Sequence, residues 1–203
     1  MAVGSTCRKL KVLDVAFSSR ITNISIGAIL KLVCLEELNI LDTSISYEGY
    51  TKLINGLSRN TVNESLLKFG CSRLVTSHFH LLLNGFQNLV EISIKRCCCD
   101  SAVAGLQNLQ TVRFTDFWFS DIQALIVIKG SQLLELQLKN VGDINLKVID
   151  ENCLSLKHLP ISGYVRHVPQ FENNDDPLPG FQSSHHLSLY LYKREYFIPY
   201  ILS

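Results

Sequence analysis

Leu133-Leu134-Glu135-Leu136-Gln137-Leu138-Lys139 places apolar residues first, fourth and sixth, with polar ones third, fifth and seventh. In an extended strand alternate side chains share a face, so Leu136 and Leu138 point one way and Glu135, Gln137 and Lys139 the other. With the first apolar residue as position 0, the same spacing (0, +3, +5) recurs at Leu10/Leu13/Val15, Leu35/Leu38/Ile40, Leu89/Ile92/Ile94, Leu109/Val112/Phe114 and Leu156/Leu159/Ile161. All eighteen positions are Leu, Ile, Val or Phe in a chain that is 47% hydrophobic. Chance gives odds on the order of one in a million, so the repeat is a property of the chain. The starts lie 25, 54, 20, 24 and 23 residues apart. The 54-residue step is two periods and predicts a degraded unit near residue 63. There Leu66 with Cys71 fits one register and Leu67 with Phe69 the next, which a bulge would reconcile.

Between strands the apolar spacing changes to threes and fours: Ile26/Ile29/Leu30, Tyr50/Leu53/Ile54/Leu57, Phe79/Leu82/Leu83/Phe86, Ile122/Leu125/Ile126 and Val148/Ile149. That spacing gives a helix one apolar face. A strand, a turn and a helix in about 24 residues bury too little to stand alone, so neighbouring units must stack. The expected fold is an α/β solenoid of about seven units over residues 1–165, strands on the concave side and helices on the convex side. The unit from Leu89 is short, and Ser101–Leu106 leaves room for one helical turn. Residues 166–203 are expected to form an irregular tail or cap. Glu172–Gly180 is a polar, proline-bearing linker, Leu187–Tyr192 alternates like a strand, and Tyr196–Leu202 is apolar.

Composition bounds the function. Formal net charge is +1 with 18% charged residues, so no global field points to nucleic acid or an anionic membrane. No apolar run approaches the length of a membrane-spanning helix, and the N-terminus does not read as a secretory signal. Seven cysteines, spread through apolar pattern, suit reduced, buried thiols in the cytoplasm or nucleus, with Cys7, Cys97 and Cys153 expected in the core. On that reading the sequons Asn23-Ile24-Ser25 and Asn63-Glu64-Ser65 stay unused.

Neither enzyme nor metal signatures stand out. There is no Gly-x-Ser-x-Gly elbow, no phosphate-cradling glycine loop and no His-Glu-x-x-His. Cys97-Cys98-Cys99 lacks the spacing of two to four residues that lets thiolates wrap a zinc ion. Cys97, eight residues after Leu89, reads instead as a buried thiol tucked into a turn. His78-Phe79-His80 falls in helical pattern without a third ligand, and His185-His186 reads as solvent-facing tail. The expectation is no catalytic centre, no metal and no cofactor.

The outward strand positions are the better candidates for a protein-binding surface, because solenoids engage partners through the concave face. They include Asp14, Glu37, Asn39, Glu91, Ser93, Lys95, Arg113, Glu135, Gln137 and Lys139. Glu37, Glu91 and Glu135 would form an acidic column, with Lys95 and Lys139 in a basic one. Phe117, eight residues after Leu109, reads as core. Trp118 or Phe119 is the exposed contact anchor.

Cys7-x-x-Leu10-x-x-Leu13-x-Val15 followed by Ser18-Ser19-Arg20-Ile21-Thr22 resembles the cysteine-containing leucine-rich repeat of F-box/leucine-rich-repeat proteins. Cys71-Ser72-Arg73-Leu74-Val75-Thr76 and Cys153-x-x-Leu156-x-x-Leu159-x-Ile161 look like the same unit. The resemblance covers residues 7–163 and implies a right-handed β–α horseshoe. In that family the solenoid recruits substrates to SCF-type ubiquitin ligases through a separate F-box. This sequence begins inside a repeat with no F-box-like segment, so the resemblance implies substrate recognition by a monomer or a member of a larger complex. The other reading is a non-ligase scaffold or assembly factor on the same repeat.

Overall fold

The computed structural model describes residues 7–59, 62–97, 105–164, 188–193 and 196–201. Two compact units divide the chain, Met1–Leu109 and Gln110–Ser203.

In the first unit, strands β1 (Val12–Asp14), β2 (Glu37–Asn39), β3 (Lys68–Ser72) and β4 (Glu91–Lys95) pair in parallel in chain order. The register Leu13↔Leu38↔Phe69↔Ile92 sets all four +3 residues in one row. Between the strands lie α1 (Ile26–Ile29), α2 (Tyr47–Ser58), α3 (Val62–Ser65) and, before β4, α4 (Thr76–Gly85). The three-and-four spacing read from α2 is its buried face: Tyr50, Leu53, Ile54 and Leu57 are all buried. Its start is fixed by Ser46, whose Oγ accepts from the Gly49 N–H at 3.3 Å, with Glu48 in the first turn.

In the second unit, β5 (Thr111–Trp118), β6 (Glu135–Gly142), β7 (Ile161–Tyr164) and β8 (Ser188–Lys193) are also parallel. Phe114↔Leu138↔Ile161 aligns the +5 positions. Helix α5 (Phe119–Lys129) follows β5 and α6 (Leu146–Asn152) follows β6. Asn145 caps α6 by accepting from the Val148 N–H at 3.2 Å. The segment expected to alternate as a strand is β8, and β9 (Tyr196–Ile201) returns antiparallel along it. Pro199 falls in β9, the last strand of the hairpin, where a missing N–H is tolerated. The polar linker, His185-His186, Cys98, Cys99 and most of the short segment Ser101–Leu106 lie outside the described residues.

The degraded unit turns out to be regular. Leu66, Phe69 and Cys71 are all buried and occupy 0, +3 and +5, while Leu67 is exposed. No bulge is needed, because Phe69 pairs directly with Leu38 and Ile92. The two steps are unequal: the long α2 and the added α3 put 31 residues between Leu35 and Leu66, and 23 follow before Leu89. At the other end of this unit, Leu10, Leu13 and Val15 are only half-buried, unlike their counterparts. Cys7, read as core, is exposed; it precedes β1, the first strand of its sheet, beyond the rows that bury the later frames. Cys97 and Cys153 are buried as expected, and burial pushes the Cys153 thiol up to about 12.

One backbone feature repeats without any sequence signal. Phe17, Asp42, Arg73, Arg96, Asp116 and Asn140 have positive φ, between 50° and 61°, and each sits at +7 of its frame. Asp and Asn tolerate this region; for other L-residues it costs roughly 1–2 kcal/mol. At three of these positions the turned N–H has a partner in the following repeat. Phe17 donates to the Leu41 carbonyl at 2.8 Å, Arg73 to the Lys95 carbonyl at 2.9 Å and Asp42 to Ser72 Oγ at 2.9 Å. Each such bond is worth about 1 kcal/mol net, which offsets much of the local cost. Cys97 Sγ does similar work, accepting from the Leu74 N–H at 3.1 Å.

The frame therefore predicts two classes of substitution. Leu38→Asp or Leu136→Asp should cost more than about 3 kcal/mol, because each puts a carboxylate into a fully buried row. Glu37→Ala or Gln137→Ala should cost less than about 0.5 kcal/mol. Denaturant melts of the four variants check this; equal losses would be incompatible with the register.

Candidate binding face

In the first unit the outward residues form columns set by the strand register. The +2 column runs Val12, Glu37, Lys68, Glu91. The acidic column expected here is interrupted by Lys68, whose Nζ lies 2.8 Å from Glu37 Oε1. Lys68 was overlooked because its unit had no assigned register. The +4 column runs Asp14, Asn39, Gly70, Ser93. Asn39 donates to Asp14 Oδ2 at 3.0 Å and accepts from the Leu41 N–H at 3.3 Å. Gly70 makes room for it, since a Cβ there would lie 2.5 Å from Asn39 Oδ1. The middle of this face is thus a preordered polar strip.

At +6, Lys95 is not presented as an outward cation. Its Nζ is bonded to Asp42 and lies 5.9 Å from the centre of the Phe17 ring. Ser72 Oγ also lies 3.5 Å from Asp42 Oδ1, so side chains near the ends of all four strands share one network. Phe17 stays 74% exposed at its edge.

In the second unit, Arg113 Nη2 donates to Glu135 Oε1 at 3.1 Å, and both are half-buried. Gln137 and Lys139 lie on the next strand in register with Arg113 and Thr115, and Lys139 is exposed. Phe117 is core, as expected. Of the two candidate anchors, Phe119 is buried and Trp118 is 42% exposed, because α5 begins at Phe119 and turns that ring inward. Asp121 accepts from the Trp118 N–H at 3.3 Å and fixes this helix start.

His78 is helical, as read, and buried, whereas His80 is exposed. His78 Nδ1 accepts from the Val75 N–H at 3.3 Å, closing the start of α4, so the ring proton sits on Nε2. Nε2 lies 3.0 Å from Thr51 Oγ1 and 3.2 Å from the Tyr47 carbonyl, both on α2. The ring also stacks at a tilt on Tyr47, centroids 4.6 Å apart. A neutral imidazole thus ties α4 to α2. Among the described residues no group of three His, Cys, Asp or Glu side chains could hold a metal ion. Among them too, no helix is long and apolar enough to cross a membrane.

No family model matches the chain, and no curated protein matches it. Among solved structures, an internalin of Listeria monocytogenes is similar over 81% of this chain, with 14% sequence identity and a TM-score of 0.41. The similarity spans 58% of that internalin chain.

Burial holds the His78 pKa below its ordinary value near 6.5, against the Tyr47 carbonyl, which raises it. Below about pH 6.5 the unfolded chain therefore takes up a proton that the folded chain refuses. The stability linked to His78 is complete above pH 6.5 and falls as pH drops toward the lowered folded value. Melts of the wild type between pH 7.5 and 5 should fall more steeply than those of His78→Gln, which titrates nothing at this position. Parallel curves would contradict the neutral, buried assignment.

Proposed function

We propose that this chain is a leucine-rich-repeat recognition module that binds a protein partner through its outward strand residues. The supporting observation is the ordered polar surface that each of the two units carries on its strands. Asp14–Asn39, Glu37–Lys68 and Arg113–Glu135 are each held by cross-strand bonds, and beneath all of them but Asp14 the 0, +3 and +5 residues of the strand are buried. Preordered side chains lose little entropy on binding, which favours recognition. In this reading the protein is not an enzyme and needs no cofactor.

The finer reading is substrate recognition within an SCF-type ubiquitin ligase, in the cytoplasm or nucleus. It rests on the resemblance in the cysteine-containing units. Cys7 and Cys153 both stand three residues before a frame start. Cys71 does not: it is the +5 residue of β3, so the similarity of Cys71–Thr76 to the other two units is local. That displacement narrows the resemblance to two of its three units; the second reading is a non-ligase scaffold or assembly factor on the same repeat.

Affinity capture with the full chain, followed by quantitative mass spectrometry, tests both levels. A partner retained by the wild type should be lost by at least tenfold with Asn39→Ala/Glu91→Ala/Arg113→Ala. It should be kept by Lys31→Ala/Lys52→Ala, which changes exposed positions outside the strands. Loss with the second variant and not the first would overturn the face assignment. Enrichment of the ligase's adaptor and cullin subunits supports the ligase reading, and a partner set without them supports the scaffold.

A further inference from the structure

We infer that His78 is a pH-sensitive latch: on protonation it lets go of the first turn of α4 while it keeps its hold on α2. The latch does not depend on the recognition role proposed above. The two ring nitrogens have separate tasks. Nδ1 serves α4, accepting from the Val75 N–H at 3.3 Å. The His78 N–H donates in turn to the Val75 carbonyl at 2.9 Å, so one residue closes the turn from both sides. Nε2 serves α2, lying 3.2 Å from the Tyr47 carbonyl and 3.0 Å from Thr51 Oγ1. A proton can enter only at Nδ1, because Nε2 already carries one. The imidazolium then has an N–H where the Val75 N–H needs an acceptor, and two donors face each other. The Nε2 bonds to α2 survive this change. Ser77, whose hydroxyl lies 3.3 Å from the Tyr47 hydroxyl, sits in the turn that is released.

Among the described residues, nothing around the ring offsets the new charge. The first turn of α4 carries no acidic residue, and the helix dipole opposes a cation at a helix start. From α2 the ring meets Tyr47 and Tyr50, centroids 4.6 Å and 6.1 Å away. The Tyr50 phenol, pushed up to about 12 by burial, stays neutral in mild acid. Glu48 is the one carboxylate of α2, but it is exposed and bonded to Ser46 Oγ at 2.7 Å. Lys52 on α2 and Arg73 before α4 are exposed cations, and His80 on α4 is exposed, so none of them favours a charge on His78. Cys97 Sγ is held at the entry to α4 by the Leu74 N–H, and the Asp42 carboxylate is engaged by Lys95. Burial and the Tyr47 carbonyl are the effects that act on His78, and neither is a charged side chain. Opening this turn alone brings Nδ1 into water, where an imidazole titrates near about pH 6.5. Because the open turn takes the proton and the closed one refuses it, opening rises by up to about tenfold between pH 7.5 and 5.5. Acid sensitivity is thereby assigned to one turn and one hydrogen bond.

The test is amide hydrogen exchange of the full chain at pH 7.5 and 5.5, read at single residues by NMR and corrected for intrinsic rates. Protection of the Val75 amide should fall about three- to tenfold in acid. Protection of the Phe86 amide, which donates to the Leu82 carbonyl at the far end of α4, should hold. His78→Gln offers Val75 an acceptor that does not titrate, so its Val75 protection should be the same at both pH values. Imidazole nitrogen shifts of the wild type at pH 7.5 should show a proton on Nε2 and none on Nδ1. That readout does not need the variant to fold. Equal Val75 protection at both pH values in the wild type, or an equal fall in His78→Gln, would overturn the inference. So would an equal fall at Phe86, which means that the whole helix opens, or a proton on Nδ1 at pH 7.5.

Discussion

A parallel strand of three to eight residues cannot bury itself; it must lay one row of side chains against something apolar. Here that row is made by the 0, +3 and +5 residues, and from Leu35 to Ile161 every one of them is buried. Burying a Leu, Ile or Phe side chain is worth about 1.5–3 kcal/mol, so each unit gains several kcal/mol only when its register is right. A slip of one residue would send Leu67 inward and Phe69 outward, reversing the whole strand. The helices, the turns and the polar face all follow from that row.

The left-handed residue at +7 is the second consequence. The backbone turns at this point, just after the strand in the first unit and inside β5 and β6 in the second, and at Phe17, Asp42 and Arg73 the turn aims the N–H at the following repeat. In Asp42, Asp116 and Asn140 the residue type suits the geometry; in Phe17, Arg73 and Arg96 it does not, and for Phe17 and Arg73 a backbone bond to the next repeat holds the turn. Because these turns are imposed by the fold, they present side chains at fixed points along the strand ends. That is how Phe17 comes to sit beside Lys95, and Asp116 beside Trp118.

Much of this architecture was legible because hydrophobic period is a strong signal. The six clear frames predicted their strands, and the three-and-four spacing predicted the buried face of α2. What was missed had physical reasons. Leu66/Phe69/Cys71 fits the frame, but a cysteine at +5 and unequal steps of 31 and 23 residues hid it. With that register open, Lys68 went unseen and the acidic column looked continuous. The Asp42–Lys95 pair joins residues 53 apart, which no local spacing reveals. Phe17, Arg73 and Arg96 are not residues that turn chemistry leads one to expect at positive φ. The choice between Trp118 and Phe119 depended on where α5 begins, a one-residue question that periodicity does not answer.

The register of the Leu66 unit is where the account is most exposed, since there the sequence offers two competing alignments. Comparing the unfolding free energies of Phe69→Ala and Leu67→Ala decides between them. A single regular row predicts a loss of about 3–5 kcal/mol for Phe69→Ala and less than about 1 kcal/mol for Leu67→Ala. A larger loss at Leu67 than at Phe69 would contradict the shared frame on which every other assignment depends.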